Sequence, residues 1–140
     1  MRRLYLLIAC SLFFALFGGL AASDVSGAEP EGRLFELRTY HVLPGRMPAL
    51  LRRFREHTTK LFETHGMTNI GYWTPAGKEG ETTLIYLLAH DSRAAAEKSW
   101  KGFRDDADWQ KVRDESEKDG KIVEKVDSVF LTPTDFSKLK

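Results

Sequence analysis

At 140 residues, with 21 basic and 20 acidic side chains and a net charge of +1, the chain has room for one domain and no charge excess. Nucleic-acid binding, which rests on clustered Lys and Arg neutralising phosphates, is therefore a poor reading. The sole cysteine, Cys10, lies in an apolar N-terminal run, so disulfides, thiol catalysis and thiolate metal sites drop out of the domain that follows.

Arg2 and Arg3 precede an uncharged stretch rich in Leu, Ile, Phe and Ala that ends near Ala22, the pattern of an export signal. Ser26-Gly27-Ala28 offers small residues for cleavage after Ala28, which makes residues 1–28 a signal peptide and the protein periplasmic or secreted. The rival is a retained membrane anchor, since the apolar run is nearly long enough to cross a bilayer. A lipoprotein signal fits less well, because the apolar run continues past Cys10. Removing Arg2, Arg3 and Asp24 leaves equal numbers of acidic and basic residues. Residues 29–33 read as a lead-in, 34–133 as the folded domain and 134–140 as a tail.

From Arg33 the sequence alternates. Phe35, Leu37, Thr39, His41 and Leu43 share one side, and Glu36, Arg38, Tyr40 and Val42 the other, which predicts a strand with a mostly apolar face and a more polar one. Pro44-Gly45 stops it, and Pro48 stands where a helix tolerates proline, in its first turn. Met47, Leu50, Leu51, Phe54, Thr58, Leu61, Phe62 and His65 then recur at helical spacing, with Arg52, Arg53, Arg55, Glu56, Lys60 and Glu63 mainly on the other side. Gly66 is placed as the left-handed C-cap of this five-turn helix.

Residues 67–75 and 82–90 are β-rich runs joined by a polar, glycine-containing turn, and read as antiparallel neighbours. Ser92 is placed to cap a helix whose inner face is Ala95, Ala96, Ser99, Trp100 and Phe103. After a break at Arg104-Asp105-Asp106, a second helical piece runs through Trp109, Val112 and Ser116 and ends before Gly120. Residues 126–131 supply a fourth strand, closed by Pro133. Strand, helix, strand, strand, helix, strand is the ferredoxin-like order, an α+β fold with a four-stranded antiparallel sheet and helices on one face. If Tyr40, Tyr72 or Phe130 lies on the opposite face, that face needs a cover, and pairing of two sheets in a homodimer supplies one. Glu36, Arg38 and Tyr40 would then make pairs at the dimer interface.

Phe35-Glu36-Leu37-Arg38-Thr39-Tyr40, followed by Leu43-Pro44-Gly45 and a helix, resembles the start of a NIPSNAP domain. His65-Gly66, the strand Ile70-Gly71-Tyr72-Trp73, the strand from Leu84 to His90 with Asp91-Ser92-Arg93 after it, and Asp108-Trp109 extend the resemblance to about Pro133. It implies a ferredoxin-like domain of the dimeric α/β-barrel type. It carries no catalytic signature to particular residues, and the export signal argues against transferring the mitochondrial roles of some family members.

Of the histidines, His57 and His65 lie two helical turns apart, about 12 Å along the axis, too far to share an ion. No His-Glu-x-x-His or similar spacing occurs, so neither a metal nor a cofactor is expected. Tyr40, His41, His65, Tyr72, Trp73, His90 and Trp100 are the candidates for lining a small apolar-ligand pocket between sheet and helices. An acid–base role for Glu36 would require burial that raises its pKa. The expected function is an exported, dimeric small-ligand-binding or interaction module, with no catalytic residue assigned. The alternative is a small cofactor-independent monooxygenase or a haem-handling enzyme.

Overall fold

The computed structural model describes residues 33–140. The export signal, the cleavage after Ala28, the anchor alternative and nearly all of the lead-in lie outside the described residues. Among the described residues no helix is long and apolar enough to cross a membrane.

The elements are β1 (Leu34–Val42), α1 (Met47–Arg53), a π-helical turn (Phe54–Thr58), α2 (Thr59–Thr64), β2 (Thr68–Trp73), β3 (Thr83–His90), α3 (Arg93–Asp105), α4 (Ala107–Ser116) and β4 (Val123–Leu131). A short 3-10 turn, Lys78–Glu81, lies in the connection between β2 and β3. All strand pairs are antiparallel and their order is β2-β3-β1-β4, the ferredoxin-like arrangement expected from the element order. β4 begins earlier than the sequence pattern implies, because Val123 pairs with Val42 across a bulge next to His41.

Gly45, at φ 75°, makes the turn out of β1, and Pro48 sits at the start of α1, where no intrahelical N–H is lost. α1, the π-turn and α2 run on as one rod. Its π-turn widens the helix by one residue, and the Thr58 and Thr59 hydroxyls bond back to the Arg53 and Phe54 carbonyls at 3.2 Å. α2 ends in a Schellman motif: Gly66 N–H reaches the Glu63 carbonyl and Met67 N–H the Phe62 carbonyl, with Gly66 at φ 78°. Met67 and Phe62 close this motif by joining the same core cluster.

Leu50, Phe54, Phe62, Leu84, Tyr86, Leu88, Phe103 and Ile122 form that core. Phe54 and Phe62 meet Tyr86 at ring distances of 5.4 and 6.0 Å, and Tyr40 and Tyr72 meet it at 5.3 Å. Tyr40, Tyr72 and Phe130 therefore lie on the helix side of the sheet, not on the far face. The polar face of β1 is the one that points inward. The far face carries Leu37, Thr39, Ile85, Leu87, Val129, Leu131 and Trp73, of which Val129 and Trp73 are more than half exposed. Thr132, Pro133 and the tail residues Thr134, Ser137 and Leu139 line a shallow hollow there with Phe35, Leu87 and Leu131.

Arg53 departs from its expected place on the polar side of the first helix. It is 5% exposed, and its guanidinium donates to Ser116 Oγ at 3.1 Å and to Glu117 Oε1 at 3.3 Å at the C-terminal end of α4. Arg46 donates to the Ser116 and Gly120 carbonyls nearby. Two arginines thus hold the carbonyl end of α4, where a helix favours positive charge.

Candidate functional site

Alternation along β1 puts Glu36, Arg38 and Tyr40 on one face, and antiparallel register sets their neighbours. Glu36 stands opposite Leu88 and Phe130, and Arg38 opposite Tyr86 and Ser128. One step along the diagonal, His90 of β3 and Ser128 of β4 reach the Glu36 carboxylate from either side. Trp100 of α3 descends on it from above.

The result is a buried carboxylate, 1% exposed, with every contact a donor. Oε2 accepts from Trp100 Nε1 at 2.6 Å and His90 Nε2 at 3.0 Å, and Oε1 accepts from Arg38 Nη1 and Ser128 Oγ, each at 2.7 Å. A carboxylate only accepts, so His90 carries its proton on Nε2, leaving the buried Nδ1 without a partner. Burial by itself pushes the Glu36 carboxyl up, but hydrogen bonds from His90, Ser128, Trp100 and Arg38 together outweigh it and bring the pKa down to about 2. The burial that an acid–base role for Glu36 would require is present, but the four donors bring its pKa down where that role needs it raised.

Arg38 is half-buried at the side of the cage. Its guanidinium lies 4.2 Å from the Trp100 ring centroid and 5.9 Å from that of Tyr40. Burial opposes its charge, but Tyr86, then Tyr40 and the bonded Glu36 carboxylate, outweigh it and keep Arg38 ionised. Its Nε and the Tyr86 hydroxyl are both buried and without a regular hydrogen-bond partner. Burial is also the main reason that the Tyr86 hydroxyl titrates well above the usual tyrosine range.

Above this cage opens a cleft of about 460 Å³. Glu36, Arg38 and Tyr40 of β1 and Ser128 and Phe130 of β4 form its floor; Arg93, Glu97, Trp100, Phe103 and Arg104 of α3 and Trp109 of α4 form its wall. The cleft exists because the helices leave the β4 edge uncovered: β4 has no fully buried residue. Asp106 sets the wall's second half. It ends α3, and its Oδ1 caps α4 by accepting from the Asp108 and Trp109 N–H groups, while Oδ2 accepts from His65 Nε2 at 2.7 Å. That turn brings Trp109 to 4.4 Å from Phe103.

The depressed Glu36 pKa has a consequence for acid stability. Glu36 binds its proton more weakly in the folded state, so its contribution is complete above about pH 4.5 and is lost as pH falls towards about 2. The expected loss across that window is on the order of 2–3 kcal/mol. Urea unfolding at stepped pH checks it: the stability slope between these limits should flatten in Glu36→Gln, and an equal slope in both proteins would refute the assignment.

The model of the NIPSNAP family matches residues 35–138. The chain belongs to the NIPSNAP family. A NIPSNAP family protein of unknown function from Agrobacterium tumefaciens aligns over 79% of this chain and 96% of its own at 20% identity, with a TM-score of 0.68. A second from the same organism aligns over 78% and 100% at 23% identity, also with a TM-score of 0.68. A candidate antibiotic biosynthesis monooxygenase from Nitrosomonas europaea aligns over 71% and 97% at 15% identity, with a TM-score of 0.52. These likenesses establish the shared fold. No curated protein matches the chain in sequence.

Within this NIPSNAP domain the residues expected to line a pocket are dispersed. Tyr40 and Trp100 do line the cleft, and His90 lies beneath it through Glu36. Tyr72 stacks on Tyr86 in the core and donates its hydroxyl to Asn69 Oδ1. His65 ties α2 to the start of α4 through Asp106. His41 sits on the far face, 2.7 Å from Asp127, and Trp73 is exposed on that face with its ring over Gly71. Arg38, Arg93, Ser128 and Phe130 were outside the expected pocket set. The signal for Arg38 was its place with Glu36 and Tyr40 on one strand face; Ser128 and Phe130 join only through the β1–β4 register. Among the described residues no group of three or more His, Cys, Asp or Glu side chains is placed to hold a metal ion.

Proposed function

We propose that this NIPSNAP domain is an exported, dimeric binding module for a small planar molecule, held in the cleft between α3, α4 and the β4 edge. The cleft carries the reading: its size suits a small molecule, aromatic rings of Tyr40, Trp100, Phe103, Trp109 and Phe130 line it, and the Glu36–Arg38 ion pair sets its floor. Export is inferred from the leader. A second copy is inferred from the far face, where Val129, Leu131 and Trp73 stand exposed beside Leu37, Ile85 and Leu87.

The monooxygenase or haem-handling reading takes second place. It draws on a fold shared with the Nitrosomonas protein, and fold alone is analogy for chemistry. Within the cleft Glu36 has all its acceptor positions engaged, and the ring of His90 is fully buried against it.

The three tryptophans provide the test. Trp100 and Trp109 face the cleft and Trp73 the opposite side of the sheet, so the indole N–H signals in an NMR spectrum report the two places separately. A titration with naphthalene-sized planar compounds is expected to move Trp100 and Trp109 and leave Trp73 in place. Immobility of both cleft signals at millimolar compound would sink the binding reading. Native mass spectrometry of protein recovered from a periplasm, expressed with its leader, tests the rest: a dimer lacking residues 1–28 is expected, and a monomer or an uncleaved chain overturns the corresponding part.

A further inference from the structure

We infer that the cleft selects a planar aromatic anion, such as an arene carboxylate or an enolate, with Arg38 gripping the charged end; this rests on the binding reading above. Among its charged lining residues, Arg38, Arg93 and Arg104 face Glu36 and Glu97. Glu36 is turned down into its four donors, and Glu97 accepts from Arg93 at 3.2 Å, so neither carboxylate dominates the field that a ligand meets. What a ligand meets is arginine backed by aromatic rings.

Two of these arginines are already shaped for the purpose. Arg38 lies over the Trp100 ring at 4.2 Å and Arg93 over the Phe130 ring at 4.0 Å. The Trp100 ring covers a face of the Arg38 guanidinium, so an oxyanion meets Arg38 through its N–H groups, while the rings around it leave room for a flat apolar body. Glu36 occupies only Nη1 of Arg38. Arg38 Nε makes no hydrogen bond, and behind it the Tyr86 hydroxyl is buried in the core against Arg38 and Tyr40. A buried donor without a partner is uncommon in folded proteins, and one that belongs to a cation lining a cleft marks a place for an acceptor atom. Glu36 acts here as a positioning residue, and Arg38 as the group that touches the ligand. On this inference the small apolar ligand expected from the sequence is narrowed to an amphiphilic one, apolar in its rings and anionic at one end.

The test compares 2-naphthoate with 2-naphthylmethanol, which differ in charge and little in shape, using the Trp100 and Trp109 indole signals and calorimetry on the whole chain. The carboxylate is expected to bind at least about tenfold more tightly, the preference to shrink with added salt, and Arg38→Gln to reduce it to about twofold or less. Arg93→Gln, on the exposed first turn of α3, covers the case in which Arg38→Gln does not fold; it should lower carboxylate binding several-fold more than it lowers binding of the alcohol. Equal binding of both probes, each moving Trp100, overturns the anion assignment and leaves the cleft reading intact. Unmoved Trp100 and Trp109 signals with both probes overturn both. A preference that survives Arg38→Gln in folded protein, or Arg93→Gln where the first variant is unfolded, removes arginine from the assignment and with it the inference.

Discussion

Glu36→Gln is expected to destabilise the domain by about 3–5 kcal/mol, the range typical for removing one partner of a buried charge pair. The amide is nearly the same size, so packing does not account for the loss. One of its two ends is an NH₂ group, and each side of the cage holds a group that can only donate: Trp100 Nε1 beside His90, and Arg38 Nη1 beside Ser128. Whichever way the amide turns, its NH₂ group meets one of these fixed donors, and Arg38 keeps its charge with no anion against it. Urea unfolding with an unchanged denaturant slope is the measurement. A loss below about 1 kcal/mol would mean that the cage does not hold the carboxylate as an anion. Because three of the four donors come from elements remote in sequence, the same change should loosen Trp100 and broaden its indole signal.

The second large effect is expected at Phe62, which is 0% exposed at the junction of the rod with α3. Its ring meets Phe54, Tyr86, Trp100 and Phe103 at centroid distances between 4.9 and 6.1 Å. Phe62→Ala should cost about 3–5 kcal/mol, combining lost burial with the cavity left among rings too large to collapse into it. The substitution also removes a support of Trp100, so binding of a cleft ligand should weaken beyond what stability alone explains. Phe62→Leu retains most of the volume and should cost much less. If Phe62→Ala unfolds at nearly the wild-type urea concentration, the aromatic junction is not the centre of the core.

Much of the fold was legible because it is written in local periodicities. Alternation from Phe35 to Leu43 marks a strand, spacing by three and four from Met47 to His65 marks a helix, and Gly66 and Ser92 mark a helix end and a helix start through backbone chemistry that needs no distant partner. The element order then leaves few topologies. The π-turn was not legible, since one extra residue in a helical turn hardly disturbs an apolar pattern, and the burial of Arg53 depends on Ser116 and Glu117, which lie more than sixty residues away.

The candidate site was legible in its residues and not in its orientation. That Glu36, Arg38 and Tyr40 share a face follows from a two-residue period, but the same period serves equally for a face turned to the helices or away from them. Hydrophobicity pointed the wrong way: Phe35, Leu37 and Thr39 look like the inner set. The choice was made by Trp100, His90 and Ser128, whose hydrogen bonds make a buried carboxylate tolerable on the helix side, and by Tyr86, Leu84 and Leu88 of β3, which bring their own bulk to that face. By itself the sequence determined the element order, the antiparallel ferredoxin-like sheet and the family, because each depends on contiguous runs of residues. Which face of the sheet is the core, where the cleft opens and what charge it presents were decided only by tertiary structure, because a buried charge is stable only where distant donors converge on it.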